Sequence, residues 1–265
     1  MDVHMEVWLD GPAAVRAARA KQWFVTCGDR LFPDCSSANT AWSASLVRHE
    51  DDPPEIFEGA GRQHEFLDEL ARPHYWAQLQ FGDTGDDGRV RSSAAYPAGD
   101  FTALSTAVDC GGRSWADTRF CERLVETVVA AADEADPTFG RIEYREFSDR
   151  SNLDIALRRK KRVFLTEARD VLRGYAWVTV CPEGLLGRLG GLRALESSGA
   201  FHRVIPLSAG GAVLQASGTM AGYTDPVMEG VFGALAPVLP AGVPSDHPAF
   251  PGVRFVRRDA RAMGA

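Results

Sequence analysis

The side chains able to do chemistry are scattered along this chain of 265 residues rather than grouped. Asp109-Cys110-Gly111-Gly112 sets a thiol in a glycine turn, and with His74 or His202 as base it would make a nucleophile and base pair. Nothing in the spacing brings them together, and a lone cysteine ordinarily packs as a small apolar side chain. His49-Glu50-Asp51-Asp52 joins metal-capable residues, but sequence neighbours do not converge on one ion, and Pro53-Pro54 stiffens what reads as an exposed acidic loop. His64-Glu65 lacks the second histidine of the zinc-protease pattern H-E-x-x-H. No metal site is expected.

The stretch RGYAWVTVCPEGLLGRLGG, residues 173–191, raises the question of a nucleotide loop. A dinucleotide fingerprint needs its first two glycines two apart, so that the backbone turns tightly against a pyrophosphate. Gly184, Gly187 and Gly190 are three apart, and no phosphate-loop lysine follows. The segment instead reads as a helix, with Pro182 at its first position, Glu183 against the positive end of its dipole, Leu185, Leu186 and Leu189 on a buried face, and Gly190-Gly191 as its stop. No cofactor and no catalytic residue is assigned. The basic run Arg158 to Arg162, after Leu153, Ile155, Ala156 and Leu157, reads as a solvated helix end.

The elements that would position any site become clear after residue 70. Residues 1–70 read as an irregular N-terminal segment, with proline, glycine, serine and asparagine at turn-like density between short helical patterns such as AAVRAARA. From His74, HYWAQLQFG alternates as a half-buried strand does, GDTGDDG follows as a turn, and RVRSSAAY returns. Phe120, Leu124, Val128 and Ala132, with Val125 and Val129 beside them, make the stripe of an amphipathic helix that ends before Pro137. TFGRIEYREF is a further strand, in which Ile142 and Tyr144 alternate with charged neighbours.

Residues 71–150 thus form a first half, and 151–265 a second of similar order: a connecting helix over NLDIALRRKKRVFLTEARDVLRG, the strand YAWVTV, and a hairpin turning at Ser208 to Gly211. Next comes a helix with Asp225 as cap, Pro226 at its first position and Val227, Val231 and Leu235 on one face, then a final strand VRFVRRD. The fold class is α+β, with mostly antiparallel sheets and flanking helices, in two similar halves.

Composition sets the setting. The chain is long enough to bury roughly 70–75% of its unfolded surface without staples. Its five cysteines are odd in number and lack a C-x-x-C pair, which favours a reduced, cytoplasmic protein. No apolar run is long enough for a membrane span. Only Lys21, Lys160 and Lys161 among 29 basic residues are lysine, as in GC-rich genomes. The net charge of −7 disfavours nucleic acid and anionic membranes and favours a cationic partner.

ADPTFGRIEY, RGYAWVTVCPEGLLGRLGG, SGAFHRVIPLSAGGAVLQAS and FGALAPVLPAG resemble a group of uncharacterised actinobacterial proteins over residues 115 to 243, and the second half is distantly similar to immunity proteins that protect cells from polymorphic or type VI toxins. The resemblance implies an α+β architecture and a non-enzymatic binding role, and it transfers no functional residue. Two functions follow. One is a cytoplasmic binding protein, an immunity factor neutralising a basic toxin, with the acidic clusters Glu50, Asp51, Asp52 and Asp83, Asp86, Asp87 as partner-binding residues. The alternative is a small-molecule enzyme or ligand-binding protein with a pocket between the two halves, using Cys110, His74 and His202.

Overall fold

The computed structural model describes residues 2–31, 42–59, 61–82, 90–98, 100–108, 114–145 and 149–263. Its frame is one ten-stranded sheet: β1 (Asp2–Leu9), β2 (Trp42–Val47), β3 (Glu55–Glu58), β4 (Trp76–Gly82), β5 (Val90–Ala98), β6 (Phe101–Val108), β7 (Phe139–Arg145), β8 (Val178–Cys181), β9 (Arg203–Pro206) and β10 (Ala212–Gln215). The strands lie in the order β3-β2-β4-β5-β6-β1-β7-β8-β10-β9, and every pairing is antiparallel. The α+β class read from the sequence is the class observed. A single sheet runs through all three stretches of sequence.

The N-terminal stretch differs most from its expectation. Its first residues form β1, the central strand that bridges β6 and β7, and Ala13–Leu31 form the long helix α1. In β1, Val3, Met5, Val7 and Leu9 point to one face and His4, Glu6 and Trp8 to the other, and all seven are buried. The first set packs beneath α1, α2 (Arg62–Glu69) and α3 (Thr118–Ala132). Helix α1 contributes Ala17, Ala20, Trp23, Phe24 and Cys27, a stripe at spacings of three and four, and the Trp23 indole N–H donates to the Ser105 carbonyl at 3.1 Å. Helix α3 begins where Asp117 accepts hydrogen bonds from the N–H groups of Arg119 and Phe120, and it buries Leu124, Val125 and Val128 as the periodicity requires.

The other face is covered by the second half of the chain. The expected single connecting helix is two short ones, α4 (Asn152–Ala156) and α5 (Lys161–Thr166). Ser151 and Asp154 make a reciprocal cap at the start of α4, and the chain then turns through Arg158, held at a φ of 54°. Arg159 swings inward at that turn to pair with Asp154 at 2.8 Å and Glu167 at 2.7 Å, so the basic run is only partly solvated. The glycine segment is helical, as α6 (Glu183–Arg188) followed by α7 (Gly191–Ser197), with Gly190 at φ 85° between them. Pro182 precedes α6 as its cap residue rather than opening it.

The hairpin joins β9 to β10, and Gly211 cannot carry a side chain, because a Cβ there would lie 2.5 Å from the Cys181 carbonyl oxygen. In α8 (Asp225–Leu235), Met228, Val231, Phe232 and Leu235 are buried, Thr224 takes the cap position, and Asp225 pairs with Arg254 at 2.7 Å. VRFVRRD is not a strand: residues 253–258 run irregularly along the surface, and the Val256 N–H donates to the Tyr175 hydroxyl. The matching order of the two halves ends there. Each half has three strands before its long helix, β4 to β6 before α3 and β8 to β10 before α8, and it is β7 that has no counterpart in the second.

Trp177 immediately precedes β8, is 2% exposed, and donates its indole N–H to the Ser217 carbonyl at 2.9 Å. It belongs to the core under α1 and α3, while Leu185 and Leu186 of α6 belong to the opposite one, so α6 does not pack on Trp177. Trp177→Ala removes a buried ring and one of the two donors to the Ser217 carbonyl, the other being the Gln215 amide; denaturant unfolding is expected to show a loss of about 3–5 kcal/mol.

Candidate functional site

One transverse row organises the face of the sheet that carries His4, Glu6 and Trp8. Ile56, Ser45, Gln78, Ala94, Ser105, Glu6, Arg141, Thr179, Leu214 and Val204 are register partners across all ten strands. The row begins wet, with Ile56 46% exposed and Ser45, Gln78 and Ala94 half-buried. It is dry from Ser105 through Leu214, because α4 to α8 lie over that half of the face. The result is a floor of small polar side chains on β2, β4 and β5 that stops at a wall built from the second half of the chain.

At the wall lies a buried ionic cluster. Arg141, 1% exposed, approaches Glu6 with Nε at 2.9 Å and Glu143 with its terminal nitrogen at 2.9 Å, and that terminal nitrogen also donates to the Arg150 carbonyl at 2.6 Å. The Arg141–Glu6 contact lacks the alignment of a hydrogen bond and is chiefly coulombic. Burial by itself would lower the pKa of Arg141, but Glu143 and Glu6 outweigh it and hold the guanidinium above its ordinary value. Arg173 stands next to this group, with its guanidinium carbon 3.9 Å from the Phe164 ring centroid, 4.2 Å from Trp8 and 5.0 Å from Phe139. Burial lowers its pKa, against the opposing pull of Asp154 at 3.3 Å. Tyr96 meets Trp8 edge-on at 6.3 Å, and burial, with Glu6 behind it, pushes its hydroxyl far above the ordinary phenol range.

The sheet margin is different in kind. β3 is its edge strand, and the stretch EDDPPEIFE carries Glu50, Asp51, Asp52, Glu55 and Glu58, all exposed. Asp52 closes the turn by accepting from the His49 N–H at 3.0 Å, and Glu50 accepts from the Tyr75 hydroxyl at 3.2 Å. None of the five makes an ion pair with another described residue. Arg62, the nearest cation, is engaged by Glu65 at 2.8 Å and donates to the Ile56 carbonyl at 3.1 Å, which also blunts the free edge of β3.

Of the residues singled out from the sequence, Glu50, Asp51 and Asp52 therefore lie together in the β2–β3 turn; Asp83, Asp86, Asp87, Cys35 and Cys110 lie outside the described residues. His74 precedes β4 and His202 precedes β9, with six strands and so seven interstrand spacings between them in the sheet, roughly 34 Å at ~4.8 Å per spacing. The structure does not bring them together. Cys27, Cys121 and Cys181 are buried and free, and burial pushes the Cys27 and Cys181 thiols up to about 12. Among the described residues no group of three or more metal-capable side chains gathers, and no helix is long and apolar enough to cross a membrane.

The sequence reading missed Glu6, Arg141, Glu143 and Arg173. The signal for Arg141 and Glu143 was present, since they alternate with Ile142, but their face of β7 is buried rather than solvent-facing. No family model, curated relative or solved structure matches the chain.

Arg141→Met would leave two carboxylates buried around an apolar side chain, and a loss of about 3–5 kcal/mol in urea unfolding is expected. His74, half-buried with Nδ1 3.0 Å from the Arg72 carbonyl, has its pKa lowered first by burial and further by Arg48. The unfolded imidazole then takes its proton at a higher pH than the folded one, so stability falls as pH drops through about 6.5. The thermal midpoint of His74→Gln should fall less over that interval than that of the unsubstituted protein.

Proposed function

We propose that the protein is a non-enzymatic, cytoplasmic binding protein whose partner is a cationic protein received on the acidic margin of the sheet. The observation that carries this reading is the set of five exposed carboxylates at Glu50, Asp51, Asp52, Glu55 and Glu58 with no ion-pair partner among the described residues. Exposed charges that are not neutralised within the chain sustain a field reaching about 8 Å at physiological ionic strength and ~30 Å at 0.01 M. Such a field steers an oppositely charged partner into encounter. Ile56 at the centre of the strand, with the floor of Ser45, Gln78 and Ala94 beside it, supplies uncharged area against which a steered partner can settle. The net charge of −7 supports a basic partner, and we propose a toxin of basic charge in that role.

The test replaces Glu50, Asp51, Asp52, Glu55 and Glu58 by Gln or Asn in one variant and Asp83, Asp86 and Asp87 by Asn in a second. The partner is captured on the unsubstituted chain from its native lysate, identified and purified, and association rates are measured at about 0.01 M and 0.15 M salt. The first variant is expected to associate at least about tenfold more slowly at low salt and to lose most of the salt dependence, with its melting temperature retained. A partner whose association rate ignores both salt and substitutions overturns the reading, as does one of acidic net charge.

A further inference from the structure

A second site lies six strands away from that margin, at the far end of β7. Residues from both halves of the chain enclose a cleft of about 280 Å³ there. Trp115 and Tyr144 stack at its mouth with ring centroids 6.0 Å apart and planes 21° from parallel, and Trp115 is 41% exposed. Trp177 and Tyr223 close it from the second half, and Glu143, 6% exposed, supplies a carboxylate to its lining.

We propose that this cleft binds a small organic cation, an ammonium or guanidinium group whose charge faces Glu143 and whose carbon surface lies on the aromatic rings. Glu143 is the acidic residue among the described residues of the lining, and Arg141 approaches it at 2.9 Å from the protein side. Among the described residues of the lining the cation is Arg254, held by Asp225 at 2.7 Å and by the Tyr223 carbonyl at 3.0 Å.

Aromatic faces carry negative potential and attract cations from which water has been removed. Tyr223 adds a buried hydroxyl without a hydrogen-bond partner among the described residues, and burial keeps its proton on at any physiological pH, so it remains a neutral hydrogen-bonding group for a bound N–H. The chain uses the same chemistry internally, where Trp8, Phe139 and Phe164 surround the Arg173 guanidinium. The volume is close to the small end of ligand pockets, about 300 Å³, which suits a headgroup rather than a nucleotide.

The experiment follows tryptophan fluorescence of the intact chain during titration with choline, with agmatine, and with 3,3-dimethylbutan-1-ol as the neutral carbon isostere of choline. A saturable change with at least one of the two cations and none with the alcohol is expected. Glu143→Gln should weaken that cation at least about tenfold. Because Glu143 belongs to the buried cluster, Trp115→Ala at the exposed mouth is the second variant, and it should weaken binding severalfold with an unchanged melting temperature. Equal binding of the alcohol, no saturation with either cation, or unchanged affinity in Trp115→Ala overturns the proposal. None of these outcomes bears on the acidic margin, which is read through a partner's association rate.

Discussion

Two carboxylates drawn to one guanidinium, in the middle of a sheet and out of contact with water, form the constraint around which the molecule is arranged. Glu6 on β1 and Arg141 on β7 are register partners, and Glu143 follows on the same face. A strand displaced by one residue turns every side chain to the opposite face. For β1 that would drive His4 and Glu6 into the apolar layer under α1 and α3, and would take Glu6 away from Arg141. A buried ion pair is weak as a source of stability but strong as a penalty on alternatives. It specifies where β1 sits more tightly than the alternation of Val3, Met5, Val7 and Leu9 could.

That constraint also separates two chemistries on one sheet face. On the β7–β8 side, the second half of the chain seals the cluster with Leu153, Phe164 and the aromatic rings around Arg173. On the β2–β5 side the face stays open and the side chains shrink to serine, alanine and glutamine. Charges in the sealed part are largely matched, whereas the carboxylates at the β3 margin have no ion-pair partner among the described residues. The margin is therefore suited to meeting another macromolecule, and the cleft at the seam to something small enough to enter it.

Legibility in the sequence followed periodicity. β4, β5, β7, the β9–β10 hairpin, α3 and α8 carry unbroken periods of two or near four, and all were readable. β1 was not, although Val3-Met5-Val7-Leu9 alternate, because His4 and Glu6 gave it the look of an acidic, solvated opening; a centre strand with charge on a buried face breaks the pattern by which centre strands are recognised. The connecting helix was read as one because Leu153 to Val171 is apolar at helical spacing, and the capping by Ser151 and the inward turn of Arg159 depend on Asp154 and Arg173, which only the fold brings near. VRFVRRD alternates like a strand but finds no free edge. The acids at residues 50–52 were legible as exposed. The cleft was not, since Trp115, Tyr144, Trp177 and Tyr223 stand far apart in sequence and share no local pattern.

The place of β1 bears on how the molecule comes into being. Its two neighbours are residues 101–108 and 139–145, so β1 has no sheet partner until β6, roughly a hundred residues further along the chain, has been made. At synthesis rates of about 5–20 residues per second, it waits on the order of ten seconds. A wholly apolar strand left unpaired that long would invite association between nascent chains. His4 and Glu6 place polar groups on one face of it throughout the wait, so the residues that lock the finished sheet also keep the waiting strand soluble.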